Sequence, residues 1–228
     1  MTDSTAMAFQ FNAVDNLVET VDEYRVQANQ LLDQSTRGQK GQFMTPASVA
    51  QILSGMFRNL DGEVRVLDAG AGVGSLTASL VARALTEFAP ASISGNAWEL
   101  EDVLVERLLD SFGLCEEASQ ESGVAWKSHI NQIDFIEHAV EIINARTSGK
   151  TTPTFNKAIL NPPYLKIAAS SRARASLRSV GVETGNLYSC FVALALMLLE
   201  DGGELVAIIP RSCCNGPYFK DFRRVLLD

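Results

Sequence analysis

Val66-Leu-Asp-Ala-Gly-Ala-Gly-Val-Gly-Ser75 carries the end of an apolar run straight into three alternate glycines. Glycine enters left-handed backbone conformations without a Cβ penalty, so glycines at this spacing mark a tight turn that lets a ligand approach the main chain. Apolar residues then resume at helical spacing over 76–88. The same alternation repeats downstream. Strands are predicted over 64–69, 93–98, 124–130, 157–160 and 204–209, with helices over 76–88, 102–112 and 187–199. Strands that alternate with helices form a parallel sheet through right-handed crossovers and bind ligands beyond the strand carboxyl ends. The expected fold is therefore α/β, a Rossmann-like three-layer αβα sandwich.

Upstream of this unit, Leu17, Val21, Tyr24, Ala28 and Leu31 recur at steps of four and three with acids between them, predicting an amphipathic helix over 12–34. A glycine-punctuated loop, Gly38-Gln-Lys-Gly-Gln-Phe-Met-Thr-Pro46, leads into a second helix over 47–57, with Thr45 as N-cap and Pro46 at the first helical position. The polar stretches 145–153 and 168–185 read as loops, and no internal repeat or low-complexity segment is evident.

With 228 residues, 46% of them hydrophobic and 20% charged, the chain suits one globular domain or a domain with an appendage. It has no apolar run of membrane-spanning length and no basic-then-apolar leader, so a cytoplasmic protein without membrane contact is expected. Cys115, Cys190, Cys213 and Cys214 show no metal-ligand spacing, and neither a metal site nor a disulfide framework is assigned. His129 and His138 have no evident partner and are read as structural or surface residues. A net charge of −8 offers no global attraction for nucleic acid, so such binding must be local. Two basic clusters could supply it: Lys166, Arg172, Arg174 and Arg178, and Arg211, Lys220, Arg223 and Arg224.

Four positions carry chemistry. Asp68 precedes the glycines, which do not have the G-x-G-x-x-G dinucleotide spacing; an acid there suits a ligand bearing an ammonium group, such as S-adenosylmethionine (AdoMet). Glu99 ends the second strand, where a carboxylate accepts from ribose hydroxyls, with Glu101 and Asp102 as rivals. After the third strand, Asp134 offers an acceptor for an adenine amino group with Phe135 beside it. The fourth strand runs into Asn161-Pro162-Pro163-Tyr164. Its prolines fix φ and end the strand, and Asn161, preceding a proline, is held extended. Its side chain and the Pro162 carbonyl then form a preorganised pair of acceptors beyond the sheet edge.

Together these blocks resemble the gamma-class N6-adenine DNA methyltransferases of type II restriction-modification systems. The likeness rests on Gly41-Gln-Phe-Met-Thr-Pro46, Asp68-Ala-Gly-Ala-Gly-Val-Gly74, Asp134-Phe135 and Asn161-Pro-Pro-Tyr164, in the family's order, and covers most of 38–225. The resemblance implies AdoMet as cofactor and methyl transfer to an adenine flipped out of duplex DNA. Asn161, Pro162 and Tyr164 would be catalytic, the first two accepting the target N–H bonds and Tyr164 stacking on the base. Phe43 and Thr45 would lie against the methionine end of AdoMet and Asp68 near its amino group. Gly70 and Gly72 would form the turn beneath it, Glu99 would hold the ribose, and Asp134 with Phe135 the adenine. The arginine-bearing segment after Tyr164 would face DNA phosphates.

On this basis residues 1–60 are read as N-terminal helices and a cofactor-capping loop, and residues 61–228 as the AdoMet-dependent catalytic domain. Family members usually continue through two more strands and a target-recognition domain, so the domain is expected to be incomplete at its C-terminus. The implied partners are double-stranded DNA, that target-recognition segment and a cognate restriction endonuclease. Two other readings remain: a protein glutamine N5-methyltransferase, because the same turn can present an amide nitrogen, and an AdoMet-binding module inactive in isolation. The Gly-Gln-Phe-Met-Thr-Pro loop argues against the first and the intact Asn-Pro-Pro-Tyr turn against the second.

Overall fold

Residues β1 (Gly62–Ala69), β2 (Pro90–Trp98), β3 (Ala125–Asn131), β4 (Phe155–Leu160) and β5 (Leu199–Ala207) form one sheet in the order β3-β2-β1-β4-β5. Every pair is parallel. The computed structural model that shows this describes residues 12–32, 43–168 and 170–211. The chain builds outward from β1 to β3, then returns to add β4 and β5 on the other side of β1. Strand order thus reverses between β1 and β4, and a crevice opens at the carboxyl ends there.

Residue parity along β1 and β4 sorts the two faces. Val64, Val66 and Ile159 join a core with α1 (Ala13–Leu31), α2 (Ala47–Ser54), α3 (Ser75–Glu87) and α4 (Asp102–Glu121). Leu67, Ala69, Ala158 and Leu160 join a second core with α5 (Phe135–Thr147), α6 (Arg172–Ser179) and α7 (Leu187–Leu198). The outcome is the expected αβα sandwich of Rossmann-like topology. Helix α1 lays Val14, Leu17, Val21 and Ala28 into the first core, against α3 and α4.

Several elements differ from their sequence-based bounds, each for a local reason. Helix α4 continues past 112 to Glu121 because Cys115 and Ala118 carry on the buried stripe beyond Gly113. The stretch 168–185 is not all loop: Ser171 accepts from the Arg174 amide at 3.3 Å and starts α6, which buries Leu177. Strand β5 begins at Leu199 because a bulge lets it pair Phe155 with Leu199 and then Lys157 with Glu204, with Gly202 at φ +79° inside it. Helix α5 takes the first residues of the predicted 145–153 loop. Among the described residues no helix is long and apolar enough to cross a membrane, and no cluster of His, Cys, Asp and Glu could hold a metal ion. Cys115 and Cys190 are buried free thiols; Cys213, Cys214, Lys220, Arg223, Arg224 and the glycine-rich half of the 38–46 loop lie outside the described residues.

Candidate active site

A cavity of about 360 Å³ opens over the carboxyl ends of β1, β2 and β4. Its floor is the glycine turn after β1, where Gly70, Gly72 and Gly74 have φ of +71°, +59° and +85°. Side-chain-bearing residues rarely adopt these values, and a Cβ on Gly74 would also lie 2.8 Å from Leu108. The Gly70 and Ala71 amides donate to the Trp98 carbonyl at 2.9 and 3.0 Å, tying this turn to the end of β2.

Glu99 sits on the cavity wall and is 9% exposed. Its Oε2 accepts from the Gly72 amide at 2.9 Å, and Oε1 accepts from the Leu100 and Glu101 amides at 2.7 and 3.1 Å. Two carboxylate oxygens offer about four acceptor sites, so three bonds fix the group and leave capacity for a ligand hydroxyl.

Asp68 is placed differently from its expected position beside a ligand's ammonium. It shares parity with Val64 and Val66, so its side chain faces α3 beneath the glycine turn and does not line the cavity. Thr77 Oγ1 donates to its Oδ2 at 2.8 Å, while Oδ1 is buried without a partner. Burial pushes its pKa up to about 7; the Thr77 bonds oppose that shift, and the nearby Glu99 charge adds to it.

At the end of β4 the Asn161 amide is oriented by its partners. Nδ2 donates to the Phe43 carbonyl at 2.8 Å and to Thr45 Oγ1 at 3.0 Å, so Oδ1 must face the other way, as an acceptor. The Tyr164 hydroxyl lies 3.1 Å from that oxygen and 3.0 Å from the Ile208 carbonyl, and its single proton serves one or the other. Tyr164 is half-buried and lies 6.2 Å from the Tyr188 ring; burial raises its pKa. Pro162 is buried, and neither it nor Tyr164 lines the cavity, whereas Asn161 and Pro163 do. Thr45 does not cap α2 as its sequence position suggested: Pro46 occupies the N-cap and the Thr45 hydroxyl turns to Asn161.

Asp134 caps α5, its Oδ1 accepting from the Glu137 amide at 3.0 Å, and borders the cavity beside the buried Phe135. Phe135 meets Trp98 edge-on at 5.3 Å and Phe191 at 5.0 Å. Trp98 Nε1 in turn donates to His138 Nδ1 at 3.0 Å, so His138 has a partner that the sequence reading did not foresee. The rim is apolar and open: Phe43, Leu100 and Ile133 are 57%, 56% and 46% exposed. Leu100 and Ile133 could have been found, because each adjoins an acid at a strand terminus. Trp98 and Phe191 gave no such signal within their apolar runs. The basic residues of α6 are not free charges: Arg172 lies 3.4 Å from Glu137, and Arg174 and Arg178 lie 3.9 and 3.2 Å from Glu183.

Comparison with known proteins bears on the family and the fold. Residues 92–228 match the model of the Eco57I restriction-modification methylase family. The chain is 49% identical over 208 residues to the type II methyltransferase M.PstI of Providencia stuartii, covering 91% of this chain and 40% of that protein. It is 41% identical over 216 residues to the type II methyltransferase M.BsuBI of Bacillus subtilis, covering 93% and 41%. The chain therefore spans about two fifths of the length of the curated relatives it matches. Among solved structures, the type IIG restriction endonuclease BpuSI superposes with a TM-score of 0.57 at 21% identity, over 93% of this chain and 24% of that one. A putative class I S-adenosylmethionine-dependent methyltransferase from Listeria monocytogenes superposes with a TM-score of 0.55 at 14% identity, over 94% and 68%. At such identities the structural likeness concerns the fold, while the family match spans more than half of the sequence. The chain belongs to the Eco57I restriction-modification methylase family.

Proposed function

We propose that this chain is the catalytic part of an AdoMet-dependent N6-adenine DNA methyltransferase. The residues fit the cofactor. The glycine turn lets a ligand reach the main chain, Glu99 offers a fixed carboxylate to a ribose hydroxyl, and Leu100, Ile133 and Phe135 supply apolar surface for a purine ring with Asp134 as acceptor beside it. Thr45 Oγ1 accepts from Asn161, so its own proton is left to donate toward the carboxylate of the methionine end. Asp68 acts from below, bracing the first turn of α3 beneath the glycine turn. Bound there, AdoMet supplies an electrophilic sulfonium methyl group.

The observation that carries the reading is the locked amide of Asn161. With Nδ2 committed to Phe43 and Thr45, Oδ1 can only accept. Paired with the Pro162 carbonyl, it can take both N–H bonds of an exocyclic amino group. Those bonds draw the nitrogen lone pair out of conjugation with the ring and stabilise the positive charge that develops as the methyl arrives. The target atom is inaccessible inside a duplex, so the base must be flipped, and the Tyr164 ring is the aromatic beside the acceptors on which it can stack. As part of a restriction-modification system it would work in the cytoplasm, beside the DNA it modifies. A target-recognition segment and a cognate endonuclease complete the proposed system.

The test is methylation of duplex DNA with tritiated AdoMet by the full-length gene product, followed by digestion to nucleosides. Label in N6-methyladenine is expected. Label in another nucleoside, or in a glutamine side chain of a protein acceptor, would overturn the assignment.

A further inference from the structure

Helix α2 starts without a capping side chain of its own. Its N-cap is Pro46, which has none to offer, and the adjacent Thr45 hydroxyl is engaged with Asn161. The first helical amide still needs an acceptor, since the opening N–H groups of a helix have no intrahelical partner. That acceptor comes from a different helix: the Ala47 amide donates to Asp22 Oδ1 at 2.8 Å, across a separation of 25 residues. Arg25, one turn further along α1, holds the same carboxylate with both Nε (2.7 Å to Oδ1) and Nη2 (3.0 Å to Oδ2). The pair is largely shielded, with side-chain exposures of 28% and 15%, and Arg25 holds the Asp22 carboxyl below the usual range.

We infer that Asp22 is a positioning residue of the active site: by capping α2 from α1, it frees Thr45 to hold the Asn161 amide. An acceptor from α1 relieves Thr45 of the local capping role that its sequence position favours. Without it, the Thr45 hydroxyl is drawn back toward the α2 amides, Asn161 Nδ2 loses a partner, and residues 43–46 lose their anchor on the cavity. Arg25 orients Asp22 and keeps it ionised, which makes the cap charge-assisted. The effect on cofactor affinity rests on the AdoMet reading above; the effect on the loop does not.

Two measurements on Asp22→Ala, Asp22→Asn and Arg83→Ala test this. Arg83 is the control, because its Nη1 bonds the Phe57 and Ser54 carbonyls and so anchors the opposite end of α2. Hydrogen exchange should accelerate about tenfold at Ala47 and neighbouring amides in Asp22→Ala, stay near wild type there in Asp22→Asn, which keeps an acceptor oxygen, and be unchanged there in Arg83→Ala. Calorimetry with AdoMet should show affinity about three- to thirtyfold weaker in Asp22→Ala and within about threefold of wild type in the other two. Unchanged exchange at Ala47 in Asp22→Ala, or equal weakening of affinity by Arg83→Ala, overturns the inference. Should the wild-type protein bind no AdoMet, the cofactor reading falls while the exchange result still decides the role of Asp22.

Discussion

Asn161 Nδ2 stands 3.0 Å from Thr45 Oγ1, although 116 positions separate the two residues in the chain. This contact joins residues 43–46 to the turn that ends β4. Removing the hydroxyl as Thr45→Val should leave the fold intact but free the amide to rotate, lowering single-turnover methyl transfer by about five- to fiftyfold. Thr45→Ser should retain most of the rate. Rates in Thr45→Val equal to wild type would show that the Phe43 carbonyl alone orients Asn161.

Tyr164 bears on the same amide from the other side. Its hydroxyl lies within bonding distance of both Asn161 Oδ1 and the Ile208 carbonyl and donates to one at a time, so Tyr164→Phe keeps the ring and loses that bond. The sequence assigns a role to the ring alone, as a stacking surface. The geometry instead predicts a fall of about three- to twentyfold in the single-turnover rate with little change in DNA affinity. Tyr164→Ala should weaken DNA binding as well, by about 1–3 kcal/mol for a lost base stack. Equal rates for Phe and Tyr would remove the hydroxyl from the mechanism.

Asp68 gives a pH signature. Its folded pKa of about 7 lies above the ordinary value of 3.8, so between those limits the folded state binds more protons than the unfolded one. Stability from this group therefore falls as pH rises from about 4 to about 7, and the penalty is fully present above that. Asp68→Asn cannot ionise. Its stability relative to wild type should increase from pH 5 to pH 8, by on the order of 2 kcal/mol, in urea melts of the ligand-free protein. A difference that stays constant with pH would refute the burial argument.

Trp98 and His138 allow a packing test. Losing the acceptor for a buried indole N–H costs about 1–3 kcal/mol, so His138→Ala should be destabilised by that amount and His138→Gln, which can present an oxygen, by less. Because the chain has only two tryptophans, emission in a Trp126→Phe background reports Trp98 alone. His138→Ala should shift that emission, and an unaltered spectrum would mean that the ring does not depend on His138.

The sheet and the strand-end acids were legible because both follow from local pattern: glycines after an apolar strand, an acid closing β2, two prolines closing β4. What was hidden depends on facing and on distant partners. Strand β1 is apolar on both faces, as parallel strands buried on each side are, so nothing in its sequence indicated that Asp68 turns toward α3. Thr45 reads as a helix cap unless Asp22, on another helix, is known to fill that role. His138 and Trp98 meet across 40 positions, a pairing that no local pattern announces. The helix expected over 102–112 runs on to Glu121, because the buried residues beyond Gly113 continue its stripe.

The central claim, that the Asn161 amide oxygen receives the target adenine, is tested most directly by single-turnover methylation of duplex DNA with Asn161→Ala in the full-length gene product, with AdoMet affinity measured in parallel. The variant should bind AdoMet no more than about thirtyfold more weakly than wild type, since Glu99 and the glycine turn are untouched while residues 43–46 lose their bonds to the Asn161 amide, and at saturating AdoMet should transfer the methyl group to adenine N6 at a rate lower by on the order of a hundredfold or more. Wild-type transfer rates in Asn161→Ala would contradict the account.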